Sequence, residues 1–438
     1  MARAQEGFGE ECARAFGLFK RGKLGYNEAN MEKDHYSPNG VPKFWYNVVP
    51  FIEHDLGFEI PPLLDPETGD EMSWEKLGKT LPVELAKQEL NIGEYREKRF
   101  IEIPETILKF YNTFRPTPLV RAEKLEKDLN LTGVKIYFKR EDVNRIGSYK
   151  LNSSYVQAYY AKEEGVKLLV GDTGPGNWGM GMALACHDFE LPAEIYMEKK
   201  NYDQKYDKVK VMESFGAKVV PVTTKEGTIA SGISVALRRV RENPKYKLSL
   251  GCLTAYSALH NTVLGMEIKK QFEDQGIKPD ALVGVVGGGS SFSGFVFPFA
   301  ADHEKIFLLA IESASVPSFT KGEYRYENPD IARLMPRAKM YTLGNDFVPE
   351  ELGASGLNYH GKNPLLSLLV NKGLVKARSY ENKDVDPLQD YFEKIEGVKP
   401  AAESCYAIKG AIELAKEWNG QEKTIVFSLT GNGNSLEL

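Results

Sequence analysis

Three apolar runs in this chain break into glycine-rich loops, and that recurrence constrains the fold more than any other feature. They read "VGDTGPGNWG" (Val170 to Gly179), "VVGGGSSFSG" (Val285 to Gly294) and "SLTGNGN" (Ser428 to Asn434). Around them, short β-branched runs alternate with helical periodicity. "VKIYFKRE" reads as a strand and "SSYVQAYYAKEEG" as a helix closed by Gly165; "PAEIYME", "YDKVKVMESFGA" and "AKVVPV" continue the alternation. "ALVGVVGGGSS" and "KIFLLAIES" restart it further on. Strand–helix alternation of this kind predicts parallel sheets covered on both faces, an α/β fold of two three-layer units with a cleft between them.

The division expected is an N-terminal arm over residues 1–112, a first α/β domain over 113–270 and a second over 271–438. The arm is rich in Pro, Trp and Tyr ("VPKFWYNVVP", "IPPLLDPETGDEMSW") and ends near "FRPTPLVRAEKL". One uncharged stretch, Ala281 to Ala301, is long enough to cross a bilayer, but its centre is a Gly/Ser turn. It is read as a buried strand, a loop and a helix.

Bulk properties exclude several classes. A formal net charge of −5 over 438 residues gives no electrostatic reason to expect nucleic acid or an anionic membrane as partner. The four cysteines stand far apart, which fits a reducing compartment better than a disulfide framework. The six histidines show no metal-binding spacing, so no metal site is expected. The segment "MARAQEGFGEECARAF" lacks the apolar core of a secretory signal, and a cytoplasmic location is the expectation.

In parallel α/β sheets, ligands lie outside the carboxyl ends of strands, where free N–H groups and helix N-termini favour anions. Gly287, Gly288, Gly289, Ser290 and Ser291 suit a phosphate monoester, and they match neither the nucleoside-triphosphate nor the dinucleotide spacing. Thr173, Gly176, Asn177 and neighbouring amides either hold a carboxylate or form a plain turn, and Pro175 has no N–H to donate. Asp172, just before it, is either a proton handler or a helix cap. Thr430 offers a hydroxyl to a ring nitrogen. Lys150, in "RIGSYKLNSS", lies between a glycine–serine turn and small polar residues. A lysine, a phosphate cradle, a carboxylate cradle and a ring-nitrogen partner together suit pyridoxal phosphate and an amino-acid substrate.

At these motifs the sequence resembles the tryptophan synthase β-chain family, in particular its longer second type with an N-terminal arm. The likeness runs from about Phe44 onward through "KFWYNVVP", "RPTPL", "GSYKLN", "KMYTLGNDFVP", "GLNYHG" and "PAAES". It implies fold type II of the pyridoxal-phosphate enzymes, a homodimer, and a mobile substrate-side subdomain over about 165–245. It also implies β-replacement of the hydroxyl of L-serine, or of an activated serine, by indole through an aminoacrylate. Lys150 matches the Schiff-base lysine and Gly287 to Ser291 the phosphate loop. Thr430 matches the pyridine-nitrogen partner and Thr173 to Trp178 the substrate-carboxylate loop. Asp172 stands at the catalytic carboxylate, while Tyr149, Asn152 and Glu403 fall at the cofactor. A monovalent cation is a further family expectation, and an α-type partner subunit is left open.

The chain departs from the family pattern inside the site. Tyr149 replaces a histidine, Asp172 a glutamate, Pro175 an alanine, Asn177 a glutamine, Ser291 an asparagine and Thr430 a serine. Losing one methylene at Asp172 withdraws the carboxylate by about 1.5 Å, and misplacement by about 1 Å can cost about a hundredfold in rate. Two other outcomes therefore stand beside tryptophan formation: β-elimination of serine-type amino acids (or addition of a different nucleophile), and a non-catalytic paralogue.

Overall fold

The computed structural model describes residues 35–349 and 354–434. The acidic–basic opening segment with Cys12 and the first part of the arm lie outside the described residues. The rest of the arm carries a two-stranded antiparallel ladder of β1 (Phe44–Tyr46) and β2 (Phe100–Glu102), in which Trp45 faces Ile101. Four short helices, from Trp74–Leu77 to Glu105–Tyr111, lie in the same segment. The arm is anchored by specific bonds. The Tyr46 amide donates to Thr262 Oγ1 at 2.9 Å, and Glu89 accepts from the Ala255 amide at 2.7 Å. Glu89 thus satisfies a free N–H at the start of the helix Ala255–Gln275, which the Thr254 side chain also caps.

Strand β3 (Leu119–Arg121) and β4 (Val134–Arg140) open the larger sheet. The chain then builds a separate four-stranded parallel sheet from β5 (Leu168–Thr173), β6 (Ala193–Glu198), β7 (Lys218–Val222) and β8 (Tyr246–Ser249), in the order β7-β6-β5-β8. It returns through β9 (Ala281–Val285) and β10 (Phe307–Ser313). An antiparallel pair follows, β11 (Glu323–Glu327) with β12 (Ala338–Thr342). Finally β13 (Lys376–Tyr380) and β14 (Lys423–Leu429) complete the larger sheet, order β13-β10-β9-β14-β4-β3, with only β3 antiparallel.

The sheets do not follow a division at residue 270. β4 pairs with β14 along its whole length, Val134 opposite Lys423 to Arg140 opposite Leu429. Strand–helix alternation counts strands in chain order, whereas sheet membership is decided by pairing across long sequence separations. The run 281–301 is strand β9, a loop, the helix Ser290–Val296 and a 3₁₀ turn Phe297–Asp302. Among the described residues no helix is long and apolar enough to cross a membrane.

Two glycines allow a backbone contact that positions the second loop. A Cβ at Gly265 would stand 2.7 Å from the Phe295 carbonyl oxygen, and one at Gly294 would stand 2.4 Å from Asn261. The long helix therefore packs directly against the helix Ser290–Val296. Beneath the same region lies a fully buried charge cluster. Arg115 reaches Glu267 at 2.7 Å and Glu141 at 3.0 Å, and Lys139 reaches Glu267 at 2.8 Å. Thr117, Asn152 and Gln271 complete the bonding of the four charges. Breaking such a pair by removing one partner typically costs about 3–5 kcal/mol.

Candidate active site

The carboxyl ends of β4, β5, β8, β9 and β14 converge on one cavity of about 100 Å³. Lys150 enters it from the N-cap of the helix Leu151–Glu163. The turn before it is held open by Asn144, whose side chain donates to the Ser148 carbonyl at 2.8 Å and accepts from the Ile146 amide. Ser148 bridges to Gly431, and the Tyr149 amide donates to the Thr430 carbonyl at 3.1 Å. The Lys150 ammonium donates to the Gly251 carbonyl and lies 4.9 Å from the centre of the Tyr149 ring.

The second glycine loop follows β9. Gly289 has φ of +106°, in the left-handed region that glycine alone tolerates freely, and it caps the helix Ser290–Val296. A Cβ at Gly287 would lie 2.8 Å from the Gly356 carbonyl oxygen, and one at Gly288 would lie 3.0 Å from Cys252. The amides of Gly287, Gly288 and Gly289 have no acceptor among the described residues, and the buried Ser291 Oγ has no partner there either. Four unsatisfied donors around one concavity are costly unless an acceptor joins them. A phosphate has the charge and the lone pairs that such an acceptor needs.

The first loop, after β5, forms the facing wall. Thr173 Oγ1 accepts from the Gly179 amide at 3.1 Å, which fixes the start of the helix Asn177–Asp188. Trp178 lies flat against Gly251, where a Cβ would be 2.3 Å from the indole ring. Its indole N–H is buried without a partner among the described residues. Asp172, 6% exposed, faces the cavity, and burial pushes its carboxyl up to about 7; its own amide and the Lys150 charge act in the opposite sense. Burial also raises the Cys252 thiol to about 11. At Lys150 burial works against the ammonium, and Tyr149, Cys252 and Asp172 outweigh it, so the pKa lies above the ordinary lysine value.

Thr430 and Glu403 close the floor. Thr430 Oγ1 lies 3.0 Å from Ser404 Oγ, and Glu403 accepts from the Gly356 amide at 2.9 Å. Glu403 sits in the first turn of the helix Ala402–Glu417, where the helix dipole favours a carboxylate.

Most residues singled out in the sequence line this one cavity; three do not. Asn152 is fully buried and bonded to Arg115 at 2.7 Å and Glu141 at 3.0 Å, inside the charge cluster. Gly176, with φ of +95°, turns the chain beneath the Lys208 side chain, whose methylenes would meet a Cβ there at 2.9 Å. Ser290 supports the wall from behind, donating to the Gly251 carbonyl at 3.3 Å and lying 3.4 Å from the Tyr149 hydroxyl. Sequence reasoning missed Gly251 and Cys252, although "KLSLGCLT" follows the same design of an apolar strand running into a glycine. It also missed Lys208, which donates to Asn177 Oδ1 at 2.6 Å, and Tyr359.

The family model for pyridoxal-phosphate-dependent enzymes matches residues 111–431. Among curated proteins, a tryptophan synthase β chain 2 of Thermotoga maritima is 44% identical over 90% of this chain and 96% of its own length. A tryptophan synthase β chain of Thermosipho africanus is 41% identical over 90% of this chain and 96% of its own. The chain belongs to the tryptophan synthase β-chain family. A hydrogen sulfide-producing enzyme of Fusobacterium nucleatum superposes with a TM-score of 0.59 at 19% identity, over 74% of this chain and 98% of that one. That likeness shows the fold alone, fold type II of the pyridoxal-phosphate enzymes. The four unsatisfied donors at Gly287–Gly289 and Ser291 fit the phosphate of the family's cofactor.

Proposed function

We propose that this β-chain relative joins L-serine, or an activated serine, to indole, replacing the β-hydroxyl to give L-tryptophan. The observation carrying this reading is the convergence of Lys150 and Asp172 on a cavity walled by three glycine loops, in a chain of this family. Pyridoxal phosphate, when bound, supplies the electron sink that makes the Cα proton and the β-substituent labile. Gly287, Gly288, Gly289 and Ser291 would hold its phosphate, Thr430 would meet its ring nitrogen, and Tyr149 and Glu403 would border it.

Lys150 would carry the cofactor's covalent attachment and would move the Cα proton. Thr173, Gly174, Asn177 and Trp178 orient the substrate carboxylate. Asp172, with its carboxyl near 7, holds a proton for the departing β-hydroxyl and takes one from the incoming nucleophile. A neutral hydroxyl at Thr430 disfavours a protonated ring and so favours elimination chemistry at Cβ over transamination. The reading includes a homodimer in the cytoplasm, with residues 165–245 as the element that closes over substrate.

The shorter side chain at Asp172 supports one second reading, loss of water from serine without capture by indole, after which water hydrolyses the released enamine to pyruvate and ammonia. One experiment separates the two. The purified protein is incubated with pyridoxal phosphate and L-serine, with and without indole, and its spectrum and products are followed. Tryptophan is the expected product; pyruvate and ammonia without tryptophan would establish the second reading. Absence of a visible absorbance band that Lys150→Ala removes would overturn the assignment of Lys150.

A further inference from the structure

Behind the phosphate loop, on the side away from the cavity, lies a lysine that no step above uses. Lys362 is 1% exposed, and among the described residues its ammonium has two polar neighbours, the Val286 carbonyl at 3.4 Å and Glu312 Oε2 at 3.6 Å. Both distances are long. Glu312 is already occupied by the Phe319 amide at 3.0 Å and by the Thr320 amide and hydroxyl, each at 2.8 Å. The Phe319 ring centre is 5.8 Å from the ammonium. An ammonium taken out of water loses several kcal/mol of hydration, and two long bonds to groups shared with others repay little of it.

The next residue completes the pattern. The Asn363 amide donates to the Gly288 carbonyl at 2.8 Å, and its side chain ties the same segment to the Leu253 and Thr254 carbonyls. Lys362 and Asn363 therefore grip the carbonyls of Val286 and Gly288 from behind. In a trans peptide, the C=O of one residue and the N–H of the next point in opposite directions. Holding these two carbonyls turns the Gly287 and Gly289 amides the other way, and those amides are among the unpartnered donors of the loop. A cation on a carbonyl also polarises the peptide and strengthens the N–H at its far end as a donor.

We propose that Lys362 is a positioning residue of the phosphate cradle. Its ammonium orients and polarises the Val286–Gly287 peptide, so that the Gly287 N–H is presented to the cofactor phosphate, whose negative charge in turn balances the buried ammonium. The inference rests on reading Gly287 to Ser291 as the phosphate site.

The test compares the cofactor with its phosphate-free form. Apoprotein is titrated with pyridoxal phosphate and, separately, with pyridoxal, following absorbance and tryptophan fluorescence, for wild type, Lys362→Met, Lys362→Arg and the double variant Lys362→Met/Glu312→Gln. Removing both charges avoids leaving a buried carboxylate alone, but the glutamine amide nitrogen cannot accept from the Phe319 or Thr320 donors as a carboxylate oxygen does, so the double variant melts somewhat below wild type. It is expected to bind pyridoxal phosphate about tenfold more weakly, on the scale of a lost charge-assisted bond, with pyridoxal affinity unchanged. Lys362→Arg keeps the preference for the phosphorylated form.

Wild-type affinity for pyridoxal phosphate in the double variant would overturn the proposal and leave Lys362 as no more than the counter-ion of Glu312. Equal weakening toward both compounds would overturn it too, as a general packing effect. A Gly288→Leu variant tells a different failure apart. If it keeps the wild-type preference for the phosphorylated compound, the phosphate-loop reading itself is wrong.

Discussion

Two buried polar clusters of this molecule are built on opposite principles. In the cluster of Arg115, Lys139, Glu141 and Glu267, all four charges are fully buried and engaged by each other or by Thr117, Asn152 and Gln271. In the cavity above, the Gly287–Gly289 amides, Ser291 Oγ and the Trp178 indole N–H have no partner among the described residues, and the Asp172 carboxyl is held near 7 by burial. The first cluster is complete without a ligand. The second is buried yet incomplete, a state that folding alone does not favour. Saturation marks structural charge here, whereas the deficit points to a ligand because its donors converge on one concavity; isolated unpartnered atoms such as Ser293 Oγ and Ser428 Oγ lie elsewhere.

The contrast can be broken from either side. The largest effect is expected from Lys150→Ala, which should lower the rate by about 10⁴-fold or more and abolish the visible band, with little change in melting temperature. On the saturated side, Glu267→Ala leaves Arg115 and Lys139 short of a counter-charge. Urea denaturation should show a loss of about 3–5 kcal/mol.

Asp172→Asn should lower the rate by about a hundredfold while making the fold more stable above neutrality. The folded carboxyl, at about 7 against an ordinary 3.8, keeps its proton where the unfolded chain has lost it. The folded state then binds more protons between about pH 4 and 7, so this group's contribution to stability falls as pH rises through that window. Melting curves should show Asp172→Asn gaining on wild type at pH 8 and matching it near pH 4. A gain that is equal at both values would show that the carboxyl is not raised. The smallest effect is Ser291→Ala. It should weaken pyridoxal phosphate by about fivefold, near 1 kcal/mol, read by absorbance titration, with the apoprotein no less stable because its hydroxyl has no partner to lose.

Much of the site was legible because glycine loops at strand ends are local signals. Asp172, the two anion loops and Thr430 stand at or just past the ends of apolar strands and Lys150 at a helix start, and the fold brings these points together. What failed to show was non-local. Asn152 lies two residues beyond Lys150, and two residues turn a helix through about 200°, which carries its side chain away from the cavity and into the charge cluster. Lys362 follows no glycine loop and becomes meaningful only when the segment 362–363 packs behind Val286 and Gly288. β4 looked like part of the unit that follows it in sequence, whereas its partner β14 lies near the other end of the described chain.

That pairing sets the order in which the molecule can be made. β5 to β8 are contiguous, so the smaller sheet can form as soon as its own segment has left the ribosome. β14 lies between β4 and β9, and until it arrives the larger sheet has two open inner edges and lacks Thr430. Cofactor capture is therefore a late event in biogenesis, and a nascent chain released before Lys423 should display unpaired strand edges to chaperones and fail to take up pyridoxal phosphate.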